Sequence, residues 1–386
     1  MREFDGVKVG FIGVALETTP TIVVSSAVEG LMFEAEVDTI NKYVKILKDT
    51  EDLKAIVVLL HDGAGTVADI NGCNPADPFF ANVVMKIDPE VDALITGHTH
   101  NAYNCQVKVK KNYDPMIVTG AGANGRYLTD IDLTIAGTSG QVIGRTATNT
   151  WVKTAYLGAS PDAEMKALLD QYRTASAPLA NRVVGSITAD IKRAGSMEES
   201  ALGDVLADAQ LAATKDPGYG DAVVAMTNPG GIRDNLLYSK STGGEAPGEV
   251  TYAEAFAVQP FSNSLVTMTL TGEQLKAVLE QQATAGSDGK GRMLQISHSL
   301  TYSWSTSAPA GSKVSDLKIN GVAVDPAASY RITVNNFLAG GGDGFTALIA
   351  GTDSLNGMFD VDALVAYLTA YSPVPPGPQD RITMIP

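Results

Sequence analysis

Short apolar segments alternate with amphipathic helical segments over the first 135 residues, and this alternation limits the fold more than any other feature. Apolar residues at helical spacing predict a helix over residues 35–48 and a second one over 78–86. Strands are predicted at 7–14, 55–60, 91–96, 115–119 and 128–135. Strands and helices in alternation are typical of a layered α/β domain.

Three of the four histidines stand just beyond predicted strands. His61 follows the apolar run 55–60, and His98 and His100 follow the run 91–96. Because ligands of open α/β sheets bind beyond the carboxyl ends of the strands, these side chains are expected to meet at one edge of one sheet. Neutral imidazole binds several metals, so the residue type leaves the metal open between Zn, Mn, Fe, Co and Ni. The alternative is a hydrogen-bonded histidine pair in a surface turn.

Charge and hydropathy exclude some classes of partner. The chain has 386 residues and a formal net charge of -15, which disfavours binding to nucleic acid or to anionic membranes. An anionic small ligand would therefore need a local cluster of arginines. The sequence contains no run of 18 apolar residues, so no transmembrane helix is expected. Residues 1–6 do not have the pattern of a signal peptide.

The two cysteines, Cys73 and Cys105, both lie in segments rich in polar turn residues. Such segments allow a disulfide to form in an exported protein, and the alternative is two unrelated thiols. The sequence favours the bridge.

A change of pattern near residue 160 predicts two domains. A helix with Ser160 as its N-cap and Pro161 at its first position is expected to connect them and to break near Pro178. The predicted limits are 1–158 for the first domain, 159–178 for the linker helix and 179–386 for the second domain. The second domain is expected to contain helices at 199–215 and after Thr271, and strands at 222–226, 265–270 and 330–334.

Side chains suited to a nucleotide follow the strands of the second domain. Arg233 could hold a phosphate group bidentately, and Phe261 and Phe337 could stack on a base. Amide and carboxylate side chains that could bond to ribose or base are Asn228, Asn263, Asn336 and Asp343. Taken singly, each residue also has an ordinary explanation, as a core phenylalanine or as a polar residue in a turn.

Taken together, these segments resemble the 5'-nucleotidases, a family of two-domain dinuclear metallophosphatases that are often exported. The resemblance covers nearly the whole chain from about Gly6 onward. The segments that carry it are, in chain order, His61-Asp62-Gly63, Gly97-His98-Thr99-His100, Asn228-Pro229-Gly230-Gly231-Ile232-Arg233, Gln259-Pro260-Phe261-Ser262-Asn263, Arg292-Met293-Leu294-Gln295, Asn336-Phe337-Leu338-Ala339 and Gly341-Gly342-Asp343-Gly344-Phe345.

The resemblance implies a fold and a set of roles. The fold would be part of a layered αββα metallophosphatase domain, followed by a mixed α/β 5'-nucleotidase C-terminal domain, with a helix between them. His61, His98 and His100 would be metal ligands, and a complete family member would hold two divalent ions such as Zn or Mn. The residues that would bind the substrate are Asn228, Gly231, Arg233, Phe261, Asn263, Asn336, Phe337 and Asp343.

The sequence also departs from the family pattern. Pro229 replaces a glycine, and Arg193 is the arginine nearest to the position of a second phosphate-binding arginine. The first three metallophosphatase motifs, Asp-x-His, Gly-Asp and Gly-Asn-His, are absent from the beginning of the sequence. In the family they supply the bridging aspartate and the catalytic histidine, so that histidine is expected in a segment that precedes these residues.

The expected activity is metal-dependent hydrolysis of the phosphate ester of 5'-nucleotides, in nucleotide catabolism, with little turnover from these 386 residues alone. The expected location is extracellular, periplasmic or at the cell surface. A nucleotide-binding module without catalysis is the alternative function.

Overall fold

The computed structural model describes residues 1–23, 27–65, 67–152, 162–241, 243–286 and 289–386. The chain divides into two compact units. The first comprises Met1–Thr19 and Gly30–Pro161, and the second comprises Pro20–Glu29 and Asp162–Pro386. The domain and linker limits predicted from the sequence stay a prediction. In the described ranges, no helix is both long enough and apolar enough to cross a membrane.

The first unit is built on a mixed sheet and a separate hairpin. Two predicted strands, 7–14 and 55–60, have the bounds that the sequence predicts, whereas the predicted helix at 78–86 is a short α-helix followed by a 3-10 turn at Val84–Lys86. The elements are β1 (Arg2–Phe4), β2 (Val7–Val14), α1 (Glu36–Glu51), β3 (Ala55–Leu60), α2 (Pro78–Asn82), β4 (Ala93–Thr96), β5 (Ala102–Val107), β6 (Met116–Ala121), β7 (Tyr127–Ile135) and β8 (Val142–Trp151).

The sheet of the first unit is covered on both faces. Its strand order is β1-β2-β3-β4-β6-β5, and β2, β3, β4 and β6 run parallel. Val58 of β3 packs on one face in the same core as Val44 of α1, and Val57 packs on the other face with Val142 of β8. A strand buried on both faces has no polar alternation, which explains why residues 55–60 read as a continuous apolar run.

The second unit contains two larger sheets and several helices. Its elements are α3 (Ala163–Ala180), β9 (Val183–Ser186), α4 (Ala201–Thr214), β10 (Val224–Thr227), β11 (Glu249–Thr251), α5 (Tyr252–Val258), β12 (Ser264–Thr271), α6 (Gly272–Gln281), β13 (Gln295–Ile296), β14 (Leu300–Ser305), β15 (Val314–Ile319), β16 (Val322–Ala323), β17 (Ser329–Asn335), α7 (Asn336–Ala339), β18 (Thr352–Phe359), α8 (Asp360–Tyr371) and β19 (Ile382–Ile385).

The two sheets share a core with α6. The strand orders are β13-β10-β17-β12-β18 and β16-β15-β14-β19, and β9 pairs with β11. Met226 and Val334 of the first of these sheets pack in the same buried cluster as Leu279 of α6 and Trp304 of β14. The mixture of sheets and helices in both units confirms the predicted α/β class.

The helix α3 can be compared with its prediction at both ends. Ser160 and Pro161, the predicted start, lie outside the described residues, and in the described part Asp162 caps the helix by accepting from the Met165 amide at 2.8 Å. The break is predicted near Ala177-Pro178, and the helix ends at Ala180. Proline removes an amide donor, but in the last turn that loss affects one hydrogen bond only, and the helix ends two residues later.

Candidate functional site

Two histidine rings meet beyond the sheet of the first unit. The strands β3 and β4 are parallel neighbours, with Leu60 opposite Thr96, so their carboxyl ends lie side by side. His61 follows β3, and its ring centroid lies 5.3 Å from that of His98, which follows β4. A Cβ atom on Gly97 would lie 3.3 Å from Nδ1 of His61, so the glycine leaves room for this ring. The structure thus brings His61 and His98 together, as the sequence predicts for strand ends.

Hydrogen bonds hold the two histidine loops to each other. The carbonyl oxygen of Ala64 accepts from the Thr99 hydroxyl at 2.9 Å and from the side-chain Nδ2 of Asn101 at 3.2 Å. The Tyr103 hydroxyl accepts from the amide of Ala64 at 3.0 Å. His98 and His100 both have a φ of 60°, a left-handed conformation that is unusual for residues other than glycine. This sharp loop at residues 98–100 is a local feature typical of functional sites.

The sheet edge that carries His61, His98 and His100, called the histidine edge below, does not by itself fit a complete metal centre. Asp62 lies between the histidine loops, since its carbonyl oxygen accepts from the Gly97 amide at 3.1 Å, and burial raises the pKa of its carboxyl. Within the part of the chain that the structure describes, no group of three or more His, Cys, Asp or Glu could hold a metal ion. Catalytic metal sites use at least three protein ligands. His61, His98 and His100 therefore belong to no such group among the described residues, and their role as metal ligands stays a prediction.

The predicted disulfide is confirmed. Cys73 and Cys105 are bonded, with their Cα atoms 5.1 Å apart. Cys105 belongs to β5, and the amide of the preceding residue, Asn104, donates to the carbonyl of Gly72 at 3.0 Å. The bridge thus fastens the loop around Cys73 to the edge strand of the sheet.

Loops of the second unit converge on one edge of its larger sheet. The strand β10 runs parallel to β17, so both end on the same side. The strand β12 is antiparallel to β17, with Leu265 opposite Asn335, so β12 begins where β17 ends. All eight residues predicted to bind substrate lie in the segments directly outside these strand ends: Asn228, Gly231, Arg233, Phe261, Asn263, Asn336, Phe337 and Asp343.

Asn228 and Asp343 join two of these loops. Asn228 is 4% exposed, and its Nδ2 donates to Oδ2 of Asp343 at 2.8 Å. A Cβ atom on Gly231 would lie 3.1 Å from Oδ1 of Asn228, and one on Gly342 would lie 2.5 Å from the ring of Phe337. Glycine at position 342 is therefore required for Phe337 to pack at this place, and the glycine-rich sequence is explained by close packing of side chains on the backbone.

Arg233 forms a second pair with Phe261. The guanidinium carbon of Arg233 lies 5.6 Å from the Phe261 ring centroid, a cation–π geometry, and both side chains are exposed. Nη1 of Arg193 donates to the carbonyl of Ile232 at 2.8 Å and to that of Arg233 at 3.3 Å. Arg193 therefore reaches the loop of Arg233 from another segment of the chain, and two arginines lie close together in an acidic protein.

The two remaining asparagines have different surroundings. Nδ2 of Asn263 donates to Oδ2 of Asp360 at 3.4 Å. The backbone carbonyl of Asn263 accepts from the backbone amide of Asp360 at 2.8 Å, so Asn263 fixes the start of α8. Burial raises the pKa of Asp360 to about 6.

Oδ1 of Asn336 is buried and has no hydrogen-bond partner among the described residues. Asn335, whose side chain donates to Asn228 at 3.1 Å, is not among the predicted site residues; its position before a short helix, where asparagine is a favoured cap, was the available signal.

Comparison with known proteins supports the resemblance. Residues 183–349 match the family model "5'-nucleotidase, C-terminal domain". The chain is 29% identical over 356 residues to the trifunctional nucleotide phosphoesterase protein YfkN of Bacillus subtilis, covering 90% of this chain and 22% of that protein. It is 29% identical over 367 residues to the cell wall protein Lmo0130 of Listeria monocytogenes, covering 90% of this chain and 44% of that protein.

One solved structure is similar to this chain in both sequence and fold. The crystal structure of the 5'-nucleotidase precursor from Thermus thermophilus matches 99% of this chain and 73% of its own, at a TM-score of 0.75 and 25% identity. By contrast, the chain spans less than half the length of the two curated relatives named above. Residues 183–349 are therefore similar to the C-terminal domain of 5'-nucleotidases, and nearly the whole chain is similar in fold to a solved 5'-nucleotidase precursor.

Proposed function

We propose that this chain binds a 5'-nucleotide in its second unit and takes part in the metal-dependent hydrolysis of the phosphate ester. The observation that carries the proposal is the edge of the larger sheet, where Arg233 lies over Phe261 and Asn228 is bonded to Asp343. A cation, an exposed aromatic ring and a carboxylate–amide pair beyond neighbouring strand ends match the three parts of a nucleotide. This reaction would serve nucleotide catabolism and the scavenging of nucleosides and phosphate.

Each part of the nucleotide has a group suited to it. Arg233 binds the phosphate group, and Arg193, which donates to the carbonyl of Arg233, adds a second positive charge, which an anionic ligand needs near a protein of net charge -15. Phe261 and Phe337 stack on the base. Asn228 and Asp343 bond to the nucleoside, and Gly231, Asn263 and Asn336 line or support the same edge.

The proposed metal ligands are His61, His98 and His100, with two divalent ions such as Zn or Mn in the complete site. Because the described residues do not supply a full donor set, no catalytic step is assigned to a residue of this chain. Weak binding of divalent metal is expected for these residues alone.

The first test is turnover. We expect the purified chain to release little phosphate from AMP with added Mn or Zn, because the histidine edge lacks a complete donor set. A colorimetric phosphate assay measures the release, and calorimetry on the same sample measures AMP binding. Metal-stimulated phosphate release that disappears with EDTA would contradict the expected weak turnover while supporting hydrolysis. Failure of the chain to bind AMP would refute the proposed function.

The second test separates the phosphate site from the nucleoside site. Substitution Arg233→Ala is expected to weaken AMP binding by about 10- to 100-fold, because a charge-assisted bond to phosphate is lost. Adenosine, which has no phosphate, is expected to bind the variant within about twofold of the wild type. Arg173→Ala on α3 removes a comparably exposed arginine and serves as the control. Unchanged AMP affinity in Arg233→Ala would show that the phosphate binds elsewhere.

A nucleotide-binding module without catalysis is the second candidate. The incomplete metal donor set favours it. It predicts AMP binding that is equally strong in EDTA and in Mn, with no phosphate release in either.

The proposed location is outside the cytoplasm, at the cell surface, in the periplasm or in the extracellular medium. The disulfide Cys73–Cys105 supports it, because such bonds persist in oxidising compartments. The proposed partner is the nucleotide substrate, and neither nucleic acid binding nor membrane insertion is proposed.

A further inference from the structure

A chain of hydrogen bonds runs through the buried side of the proposed nucleoside site. Asn335, the last residue of β17, is 1% exposed. Its Oδ1 accepts from the Leu338 amide at 2.9 Å, and its Nδ2 donates to Oδ1 of Asn228 at 3.1 Å. Asn228 in turn donates from Nδ2 to Oδ2 of Asp343 at 2.8 Å. The series Leu338, Asn335, Asn228 and Asp343 is called the amide relay below.

The two ends of the amide relay determine the orientation of the groups between them. A backbone amide can only donate, and an ionised carboxylate can only accept. The oxygen of Asn335 must therefore face Leu338, which leaves its nitrogen for Asn228. The oxygen of Asn228 is used by this contact, so its nitrogen must face Asp343. Reversal of either carboxamide would bring like groups together at both of its contacts, at a cost that burial increases.

Asp343 needs such support for its own backbone. Its φ is 54°, a left-handed conformation that is unfavourable for a residue other than glycine. Its carbonyl also accepts from the Gly286 amide at 2.7 Å, so the loop is held from two sides. The relay links this loop, which follows α7, to the loop that follows β10.

We propose that Asn335 is a positioning residue for the nucleoside, acting through Asn228 to hold the Asp343 carboxylate in place. The inference rests on the proposed function, since it concerns the same site. Asn335 itself is buried below Asn228 and needs no contact with the ligand. What it supplies is the orientation of the Asn228 carboxamide and hence the place of the carboxylate.

Substitution Asn335→Asp tests this role with a side chain of the same shape. The new carboxylate still accepts from the Leu338 amide, so the cap of α7 is kept. Its second oxygen faces Oδ1 of Asn228, and relief by rotation of Asn228 brings that oxygen against the Asp343 carboxylate. Adenosine affinity is expected to fall by about tenfold or more, whereas affinity for inorganic phosphate changes by less than about twofold. Asn320→Asp, in the exposed turn between β15 and β16, adds the same charge as a control and is expected to leave both affinities within about twofold.

A double substitution tests the relay independently of any ligand. In Asn335→Asp/Asp343→Asn, the reversed Asn228 donates to the new carboxylate and accepts from the new carboxamide, so both of its hydrogen bonds are restored with opposite polarity and the bond from the Leu338 amide is kept. Thermal unfolding should therefore show that Asn335→Asp lowers Tm by about 3–8 °C in the wild-type background and by less than half of that in the Asp343→Asn background. A side chain that merely fills space at position 335 would give equal shifts in both backgrounds.

The outcomes separate the two proposals. Equal Tm shifts in both backgrounds overturn the relay, and so does an unchanged adenosine affinity in Asn335→Asp. Failure of the wild-type chain to bind adenosine or AMP overturns the proposed function, and with it the role of Asn335 toward the nucleoside. Unequal Tm shifts together with weakened adenosine binding are the expected result.

Discussion

Substitution Arg381→Met is expected to lower the free energy of unfolding of the second unit by about 3–5 kcal/mol, because it leaves buried carboxylates without their counter-charge. Arg381 is 5% exposed. Its guanidinium donates to both carboxylate oxygens of Asp208, at 2.7 and 3.1 Å, and to the Ile296 carbonyl at 2.6 Å. Asp204, which is fully buried, lies 3.8 Å from Nε of Arg381.

The loss of unfolding free energy caused by Arg381→Met should depend on pH. Burial raises the pKa of Asp204 from 3.8 to about 7, and the positive charge of Arg381 opposes this rise. Without the arginine the pKa in the folded state rises further, while the unfolded value stays near 3.8. A carboxyl group whose pKa is raised by folding destabilises the fold once pH exceeds the unfolded value. Below about pH 7 the Asp204 carboxyl is protonated in the folded state of both proteins, so its share of the cost of Arg381→Met should be small there and grow as pH rises above about 7.

Urea unfolding followed by the fluorescence of Trp304, in a Trp151→Phe background, measures this loss in the second unit. Lys318→Met removes a positive charge from an exposed pair with Asp316 and is expected to cost less than about 1 kcal/mol. Arg381→Met/Asp208→Asn should recover part of the loss, because one uncompensated charge is gone. A cost below about 1 kcal/mol for Arg381→Met at pH 8 would contradict the prediction.

Removal of the disulfide is expected to destabilise the first unit by about 3–4 kcal/mol, the chain-entropy value for a loop of 32 residues. The variant Cys73→Ser/Cys105→Ser keeps the size of both side chains and removes the bond. The sequence has two tryptophans, and Trp151 lies in β8 of the first unit whereas Trp304 lies in β14 of the second. Each can therefore report on its own unit.

In a Trp304→Phe background, urea unfolding followed by Trp151 fluorescence should shift to lower denaturant concentration in the double serine variant. In a Trp151→Phe background, the transition followed by Trp304 should not move, since the bridge lies within the first unit. An unshifted Trp151 transition would mean that the bond contributes nothing to the stability of this unit. Treatment of the wild-type protein with a reductant should reproduce the shift of the serine variant.

Local patterns predicted the parts of the fold that depend on neighbours in sequence. The strand 55–60 was predicted at its observed bounds because it is buried on both faces. The sequence predicts a helix after Thr271, and α6 begins there with a capping box of Thr271 and Gln274, which needs only residues three positions apart. By contrast, β18 is exposed along its whole length and carries no apolar alternation, so the sequence analysis did not find it.

Among the site residues, too, those placed by local sequence patterns were predicted, and those that depend on distant partners were not. Placement of His61 and His98 at one sheet edge followed from strand ends, and their rings do meet. The pairing of Asn263 with Asp360 and of Arg381 with Asp208 joins residues 97 and 173 positions apart, for which no local pattern exists. The role of Asn335 was hidden for another reason: it depends on the polarity of hydrogen bonds, which residue types and spacing do not reveal.

The cluster around Arg381 also has a consequence for the order of folding during synthesis. Glu199 accepts from the amides of Arg381 and Ile382, and Asp204 accepts from the Gln379 amide, so the beginning of the second unit is completed by residues made about 180 positions later. Domains fold as units while the chain emerges from the ribosome. The sheet of the first unit can close once β6 has emerged, whereas Asp204 and Asp208 of α4 lack the charge of Arg381 until that residue has been made. A ribosome stalled before that point would hold a second unit in which α4 lacks this positive charge.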